Sequence, residues 1–208
     1  MSVELFSGTP GSGKSLHLAR EIYDICNCKR DTMVVCNFDV DTTRFKHPDR
    51  FFYVSNDKLD ANLLISLGMV NIRTFKTYND LQNSTLLIID ECQLLFNARA
   101  WNEGGRSDWI KFFTQHRKLG YRVILVAQFD LMIDKQIRAL IENEYIHRKM
   151  SSMGFIAFFL KWLLRHDLFL CIENFYPLKL KTGQELLIAK KKYTSIYNTS
   201  VIFDEFLQ

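Results

Sequence analysis

Short apolar runs of strand length recur along the amino-terminal three quarters of the chain, and segments with apolar residues at helical spacing lie between them. "SVELFSG" predicts a buried strand ending at Gly8, and "SLHLAREIYDICN" a helix with Leu16, Leu18, Ala19, Ile22, Tyr23 and Cys26 at mostly helical spacing. "TMVVCNF", Thr32 to Phe38, and "RFFYVS" predict two further strands, and "KLDANLLISLGM" a short helix that stops near Gly68. "STLLIIDECQLLF" supplies a central strand, Leu86 to Ile89, apolar at every position as a strand buried on both faces must be. After the polar loop "NARAWNEGGRS", "DWIKFFTQHRKLG" predicts a helix closed by Gly120. The strand "YRVILVAQ", the short helix "DKQIRALIE" and the strand "NEYIHRKM" follow.

Strands thus alternate with helices from Val3 to about Met150, which predicts an α/β fold with a wound, mainly parallel sheet flanked by helices. The pattern then changes. "YPLKLKTGQELLIAKKKY" predicts a hairpin turning at Thr182-Gly183, and "SIYNTSVIFDEF" closes the chain. The expectation is one domain over residues 1–208, with a core of about 1–150 and a small carboxy-terminal β extension, about 151–208, packed on it.

Composition narrows the class. A chain of 208 residues can bury one sizeable core, and 48% hydrophobic with 24% charged residues excludes a disordered protein. The net charge of +4 tolerates a nucleic-acid or membrane-surface partner without arguing for one. Cys26, Cys28, Cys36, Cys92 and Cys171 are odd in number, sit mostly in apolar runs and lack C-x-x-C pairing; they read as reduced thiols of a cytoplasmic protein, not a zinc site. "MSVELF" contains no long apolar region ahead of the first motif, so the amino terminus is expected to stay in the cytosol. "GFIAFFLKWLLRHDLFLC", Gly154 to Cys171, approaches spanning length but carries Lys161, Arg165, His166 and Asp167. It reads as an amphipathic element packed on the domain, with contact to a membrane surface as the alternative.

The chemistry starts at "GTPGSGKS". Gly8-x4-Gly13-Lys14-Ser15 fits the full phosphate-loop pattern, with a strand before it and a helix after it. Glycines at Gly8, Gly11 and Gly13 let successive backbone N–H groups turn toward one point, where the helix amino terminus adds its positive dipole end. The nucleotide-binding stretch is read as Gly8, Thr9, Pro10, Gly11, Ser12, Gly13, Lys14, Ser15 and Leu16, with ATP and Mg²⁺ as the expected ligands. Lys14 would reach the β- and γ-phosphates, and Ser15 would offer its hydroxyl to Mg²⁺.

The ion needs a second hard oxygen donor, and Asp90 at the tip of "LLIIDE" supplies it, directly or through water. Glu91 beside it can orient the attacking water or accept its proton. An apolar strand ending in Asp-Glu means little alone, but paired with the upstream loop it reads as a hydrolysis site. Gln128 ends "VILVAQ", where its carboxamide either contacts the attacking water or the γ-phosphate, or is a plain loop amide. Arg99, Arg106, Arg117 and Arg138 are candidates for a cation supplied across a subunit interface, and each also reads as a surface or ion-pair arginine.

Taken together, "GTPGSGKS", "LLIIDECQLLFNAR", "FFTQHRKLGYRVILVAQ" and "MIDKQIRALIENEYIHRK" resemble the zonular occludens toxin amino-terminal domain family, the ATPases of filamentous-phage assembly and extrusion. The match runs to about Lys149, and "KKKYTSIYNTS" looks like the segment that closes that domain. The phosphate loop is shared with many unrelated NTPases; the linked "QHRKLGY", "VILVAQ" and "IDKQIR" stretches are far more specific.

The resemblance implies an additional-strand P-loop NTPase, in which another strand separates the Asp90-Glu91 strand from the phosphate-loop strand. It implies that Glu91 activates water, that Gln128 senses the γ-phosphate, and that Arg138 and Arg117 lead the arginine candidates. It also implies a homo-oligomer at the cytoplasmic face of the host inner membrane, coupling ATP turnover to export of single-stranded phage DNA with coat and assembly proteins. Longer members carry a membrane span after the ATPase portion, so membrane association here is expected through a partner or a missing carboxy-terminal segment. A DNA translocase or packaging ATPase of a plasmid or another virus, a P-loop kinase and a nucleotide-binding scaffold remain as alternatives.

Overall fold

The structure is a computed structural model that describes residues 2–97, 105–150 and 166–197. Arg99, positions 154–165 of the amphipathic stretch and the tail from residue 198 lie outside the described residues. Eight strands form one sheet: β1 (Val3–Ser7), β2 (Met33–Cys36), β3 (Phe51–Tyr53), β4 (Thr85–Ile89), β5 (Tyr121–Val126), β6 (Asn143–Lys149), β7 (Leu168–Phe175) and β8 (Leu180–Ile188). Their order is β3-β2-β4-β5-β1-β6-β7-β8. β1 to β6 are mutually parallel, and β7 and β8 continue the sheet antiparallel at the β6 edge. β5 stands between β4 and β1, the arrangement the resemblance implies.

Alternation along the central strands divides the core. Phe6, Ile88, Ile124 and Val126 face α1 (Lys14–Asn27) and its buried Leu18 and Ile22. Leu5, Leu87, Val123 and Leu125 face α2 (Ala61–Thr74) and α4 (Arg106–Gln115), with α3 (Tyr78–Leu81) between them in sequence. Both core sets are apolar because crossover helices cover both faces of a parallel sheet. α4 contributes Trp109, Phe112 and Phe113, which meet Phe96 and Tyr121 largely edge to face. Among the described residues no helix is long and apolar enough to cross a membrane.

Two sequence expectations need correction. Gly68 does not stop α2, which continues to Thr74. A Cβ at Gly68 would lie 2.8 Å from Leu119 Cβ, so the glycine permits close approach of the helix to the segment entering β5. The carboxy-terminal hairpin does not turn at Thr182-Gly183, because β8 runs through both residues. The turn is the single helical turn Tyr176–Leu178 with Lys179 at φ 51°, and Gly183 lies opposite Glu173 where the β7–β8 register shifts. Within the stretch read as an amphipathic element, Leu168 to Cys171 belong to β7.

Candidate functional site

β1 ends at Ser7, and the next turn departs through three residues that only glycine adopts readily: Gly8 at φ 141°, Gly11 at 73° and Gly13 at 103°. At Gly8 a Cβ would lie 2.6 Å from the His147 carbonyl oxygen, whereas Gly11 faces open space. The Gly8 N–H donates to the Gln128 carbonyl (3.3 Å), which ties the loop to the end of β5. Gly13 caps α1, and the His17 N–H donates to its carbonyl (3.1 Å), so the helix amino terminus begins at the loop. Thr9 and Pro10 are exposed, Leu16 packs on the α1-side core, and the Ser12 hydroxyl is buried without a hydrogen-bond partner.

Lys14 bends back over the loop, and its Nζ donates to the carbonyls of Gly8 (2.6 Å) and Thr9 (3.3 Å). Burial holds its ammonium below the usual lysine value, while Asp90 and Glu91 pull in the opposite direction. The topology therefore brings Lys14, Asp90 and Glu91 into one electrostatic neighbourhood although β4 lies two strands from β1.

Asp90 leaves β4 in a fixed pose. Its N–H donates to Asn37 Oδ1 (2.7 Å), and Asn37 Nδ2 donates back to the Asp90 carbonyl (2.8 Å). Its carboxylate accepts from the Glu91 N–H (2.9 Å) and the Tyr197 hydroxyl (3.2 Å). Burial raises its pKa, partly offset by these bonds. Ser15 stands in the first turn of α1, directly after Lys14, so the helix that starts at the loop carries a hydroxyl beside the ammonium. A hydroxyl and a carboxylate are hard oxygen donors of the kind that a small divalent cation such as Mg²⁺ takes. Glu91 occupies the left-handed region at φ 46°, a strained backbone for a non-glycine residue, and its carboxylate accepts from Gln93 Nε2.

A cleft of about 510 Å³ opens beside the loop, lined by Gly8 to Ser12, Gln128, Asp130 and Glu144. Gln128 thus borders the loop through both its backbone and its position in the cleft. Arg138 ends the short helix α5 (Lys135–Arg138), half-buried, and its charge acts on Asp130 in that cleft. Arg117 is elsewhere: it pairs with Glu142, whose N–H donates to the Val3 carbonyl at the opposite end of β1. Arg106 pairs with Asp134 at 3.2 Å.

Three contributors escaped the sequence reading. Asn37 follows an apolar run at a strand tip, the signal that singled out Asp90, and could have been found by the same rule. Gln93 and Tyr197 carry no such signal; Tyr197 meets Asp90 from 107 positions away, held by its ring against Phe38 and by the Ile196 carbonyl accepting from the Asp41 N–H (2.9 Å).

Comparison with known proteins agrees with this architecture. The family model described as Zonular occludens toxin (Zot) matches residues 2–199. The Gene 1 protein of Enterobacteria phage f1 is 32% identical over 161 residues, covering 74% of this chain and 44% of the relative. The chain thus spans less than half the length of the curated relatives it matches. The crystal structure of the amino-terminal domain of zonular occludens toxin from Neisseria meningitidis superposes with a TM-score of 0.55 at 18% identity, covering 95% of this chain and 98% of that one. The genome packaging NTPase B204 from Sulfolobus turreted icosahedral virus 2, solved in complex with sulfate, gives 0.56 at 12% identity, with 89% and 94% covered. The solved structures establish the likeness of fold.

Proposed function

The chain belongs to the zonular occludens toxin (Zot) family, and from that premise we propose that it is a Mg²⁺-dependent ATPase that drives filamentous-phage morphogenesis. The observation carrying this reading is the convergence of Lys14 in a complete phosphate loop with Asp90 and Glu91 from a strand two positions away.

In this reading the phosphates of ATP lie on the backbone N–H groups from Gly11 to Ser15, and the Lys14 ammonium exchanges the Gly8 carbonyl for phosphate oxygens. Ser15 and Asp90 would hold Mg²⁺, which supplies neutralisation of phosphate charge when bound. Glu91 orients water for in-line attack on the γ-phosphorus and takes its proton as the bond to the bridging oxygen breaks, leaving ADP and inorganic phosphate. Gln93 holds the Glu91 carboxylate, and the Gln128 carboxamide contacts the γ-phosphate. A neighbouring copy in a homo-oligomer supplies the remaining cation from Arg138 or Arg117. Single-stranded phage DNA and coat proteins are the cargo, and the work is done at the cytoplasmic face of the host inner membrane.

The test is phosphate release from Mg²⁺-ATP by the purified chain, with and without single-stranded DNA and coat protein. Release without any acceptor, stimulated by the cargo and abolished in Lys14→Ala, is expected. Release that requires a phosphoryl acceptor would identify a kinase, and stimulation by duplex DNA alone would identify a packaging motor.

A further inference from the structure

Behind the phosphate loop, on the α1 side of the sheet, lies a second group of chemically capable residues that nucleotide hydrolysis does not use. His17 comes from the first turn of α1, His147 from β6 and Cys171 from β7. Their relative exposures are 4%, 1% and 2%. His17 Nδ1 lies 2.9 Å from His147 Nε2 and 3.8 Å from Cys171 Sγ, and all three ligand atoms fall within 4.8 Å of one another. We propose that His17 Nδ1, His147 Nε2 and Cys171 Sγ form a buried site for a zinc-class divalent cation that pins β7 to α1 behind the phosphate loop.

The donor separations are those of a cluster close to a metal site. The three donor atoms lie 2.9 Å, 3.8 Å and no more than 4.8 Å apart, so side-chain adjustment is what brings them to the roughly 2.0–2.3 Å bond lengths and tetrahedral angles of a zinc ion placed among them. Two imidazoles and a thiolate are borderline and soft donors, which favour zinc over the magnesium expected at Ser15 and Asp90. Three protein ligands leave the fourth position of a tetrahedral ion to a water.

The surroundings supply the outer contacts such a site needs. His147 Nδ1 lies 3.2 Å from the Ser7 carbonyl, so its proton belongs there and the Nε2 lone pair points at the cluster. His17 Nε2 accepts from Arg20 Nη2 (3.2 Å), so an ion at Nδ1 moves the imidazole proton to Nε2, which lies 3.9 Å from Glu21 Oε1. Arg20, 3.2 Å from the same nitrogen, is already held by both oxygens of Glu185. A dication with one thiolate carries a single net positive charge, and the adjoining cluster of Glu4, Glu21 and Glu185 against Arg20 and Arg122 has one carboxylate in excess to balance it.

The position explains what the ion would do. A Cβ at Gly13 would lie 2.7 Å from the Phe169 ring, so β7 already forms the rear wall of the loop. An ion joining Cys171 to His17 fixes that wall to the helix that starts at Gly13. Sequence spacing could not find this site, since its ligands lie at positions 17, 147 and 171 with no local repeat.

Cobalt titration of the purified, metal-free chain tests the proposal, because a cobalt–thiolate bond gives a near-ultraviolet charge-transfer band that histidine and carboxylate sites lack. Binding of about one Co²⁺ per chain with that band, displaced by zinc, is expected. Cys171→Ser should abolish the band and weaken zinc binding by more than about 100-fold, and Glu21→Gln should weaken it by about 10-fold. Lys14→Ala removes no ligand and should keep the band, which separates this site from a cation at the phosphate loop. Should Cys171→Ser fail to fold by circular dichroism, His17→Gln carries the same expectation of a lost site. A wild-type chain that binds no stoichiometric cobalt, or a band that survives in Cys171→Ser, overturns the proposal. The trio would then be a hydrogen-bonded chain running from Arg20 through His17 and His147 to the Ser7 carbonyl.

Discussion

The two ends of the parallel strands share one backbone framework and treat charge in opposite ways. At the amino-terminal end, Arg122 donates to both oxygens of buried Glu4 (2.9 and 2.8 Å) and to Glu21 (2.6 Å). Arg117 and Glu142 pair close by. At the carboxyl end, Lys14 donates to backbone carbonyls instead of to a carboxylate, Ser12 buries an unpartnered hydroxyl, and Gly8, Gly11, Gly13 and Glu91 hold positive φ. One end spends its charged groups on one another. The other leaves the Lys14 ammonium without a carboxylate partner and Glu91 on a strained backbone, which is the state of a site prepared for a charged ligand.

The largest effect should therefore come from the carboxyl end without a matching loss of stability. Glu91→Gln keeps an acceptor for Gln93 but removes the base, and should lower ATP turnover by about 1000-fold while nucleotide binding persists. Turnover is read by phosphate release and binding by a fluorescent nucleotide. Wild-type turnover in this variant would remove Glu91 from the proposed mechanism.

The mirror experiment is at the amino end. Arg122→Ala leaves the Glu4 carboxylate, 5% exposed in its side chain, buried without its cation, and should destabilise the chain by about 3 kcal/mol. Denaturant unfolding reads this directly. Turnover per folded molecule should stay close to wild type, so a large kinetic loss at full folding would break the division between the two ends.

Next in size is Gly68→Ala. Alanine in a helix interior gains roughly 1 kcal/mol over glycine, but its Cβ would meet Leu119 Cβ at 2.8 Å, an atom fixed to the backbone beside β5. The overpacking, typically about 1–3 kcal/mol, outweighs the propensity gain, so a net loss of about 1 kcal/mol is expected in the same unfolding assay. Stabilisation instead would mean that α2 can slide off Leu119.

These positions also mark where sequence reasoning reached and where it stopped. The strand–helix alternation through β6 was legible because each element buries a continuous or periodic apolar face, and "GTPGSGKS" carries its backbone requirement in its own glycines. Gly68 was misread because a glycine that ends a helix and one that lets a neighbour approach look alike until the neighbour is known. The hairpin was misplaced for a related reason: Thr182-Gly183 has turn composition, but β8 uses it to pass a register shift, and Tyr176 to Lys179 make the turn without a glycine. Asp90 was legible from its apolar strand, whereas Tyr197 was not, since only the fold brings it to that carboxylate.

Tyr197→Phe is the smallest of these changes and sits at the boundary of the comparison, where a saturated contact occupies the otherwise available end. The phenol donates at 3.2 Å to Asp90, one of the two residues proposed to hold Mg²⁺. Losing one such bond should cost about 1 kcal/mol of stability in the nucleotide-free chain, because the ring still packs on Phe38 while Asp90 keeps its bond from the Glu91 N–H. The same loss frees Asp90 Oδ2 before the ion arrives. The variant should therefore reach half-saturation with nucleotide at a lower Mg²⁺ concentration than wild type, while unfolding at a lower temperature. A raised Mg²⁺ requirement would mean instead that the phenol holds the Asp90 carboxylate in position for the ion, and that the carboxyl end depends on its own saturated contact as the amino end does.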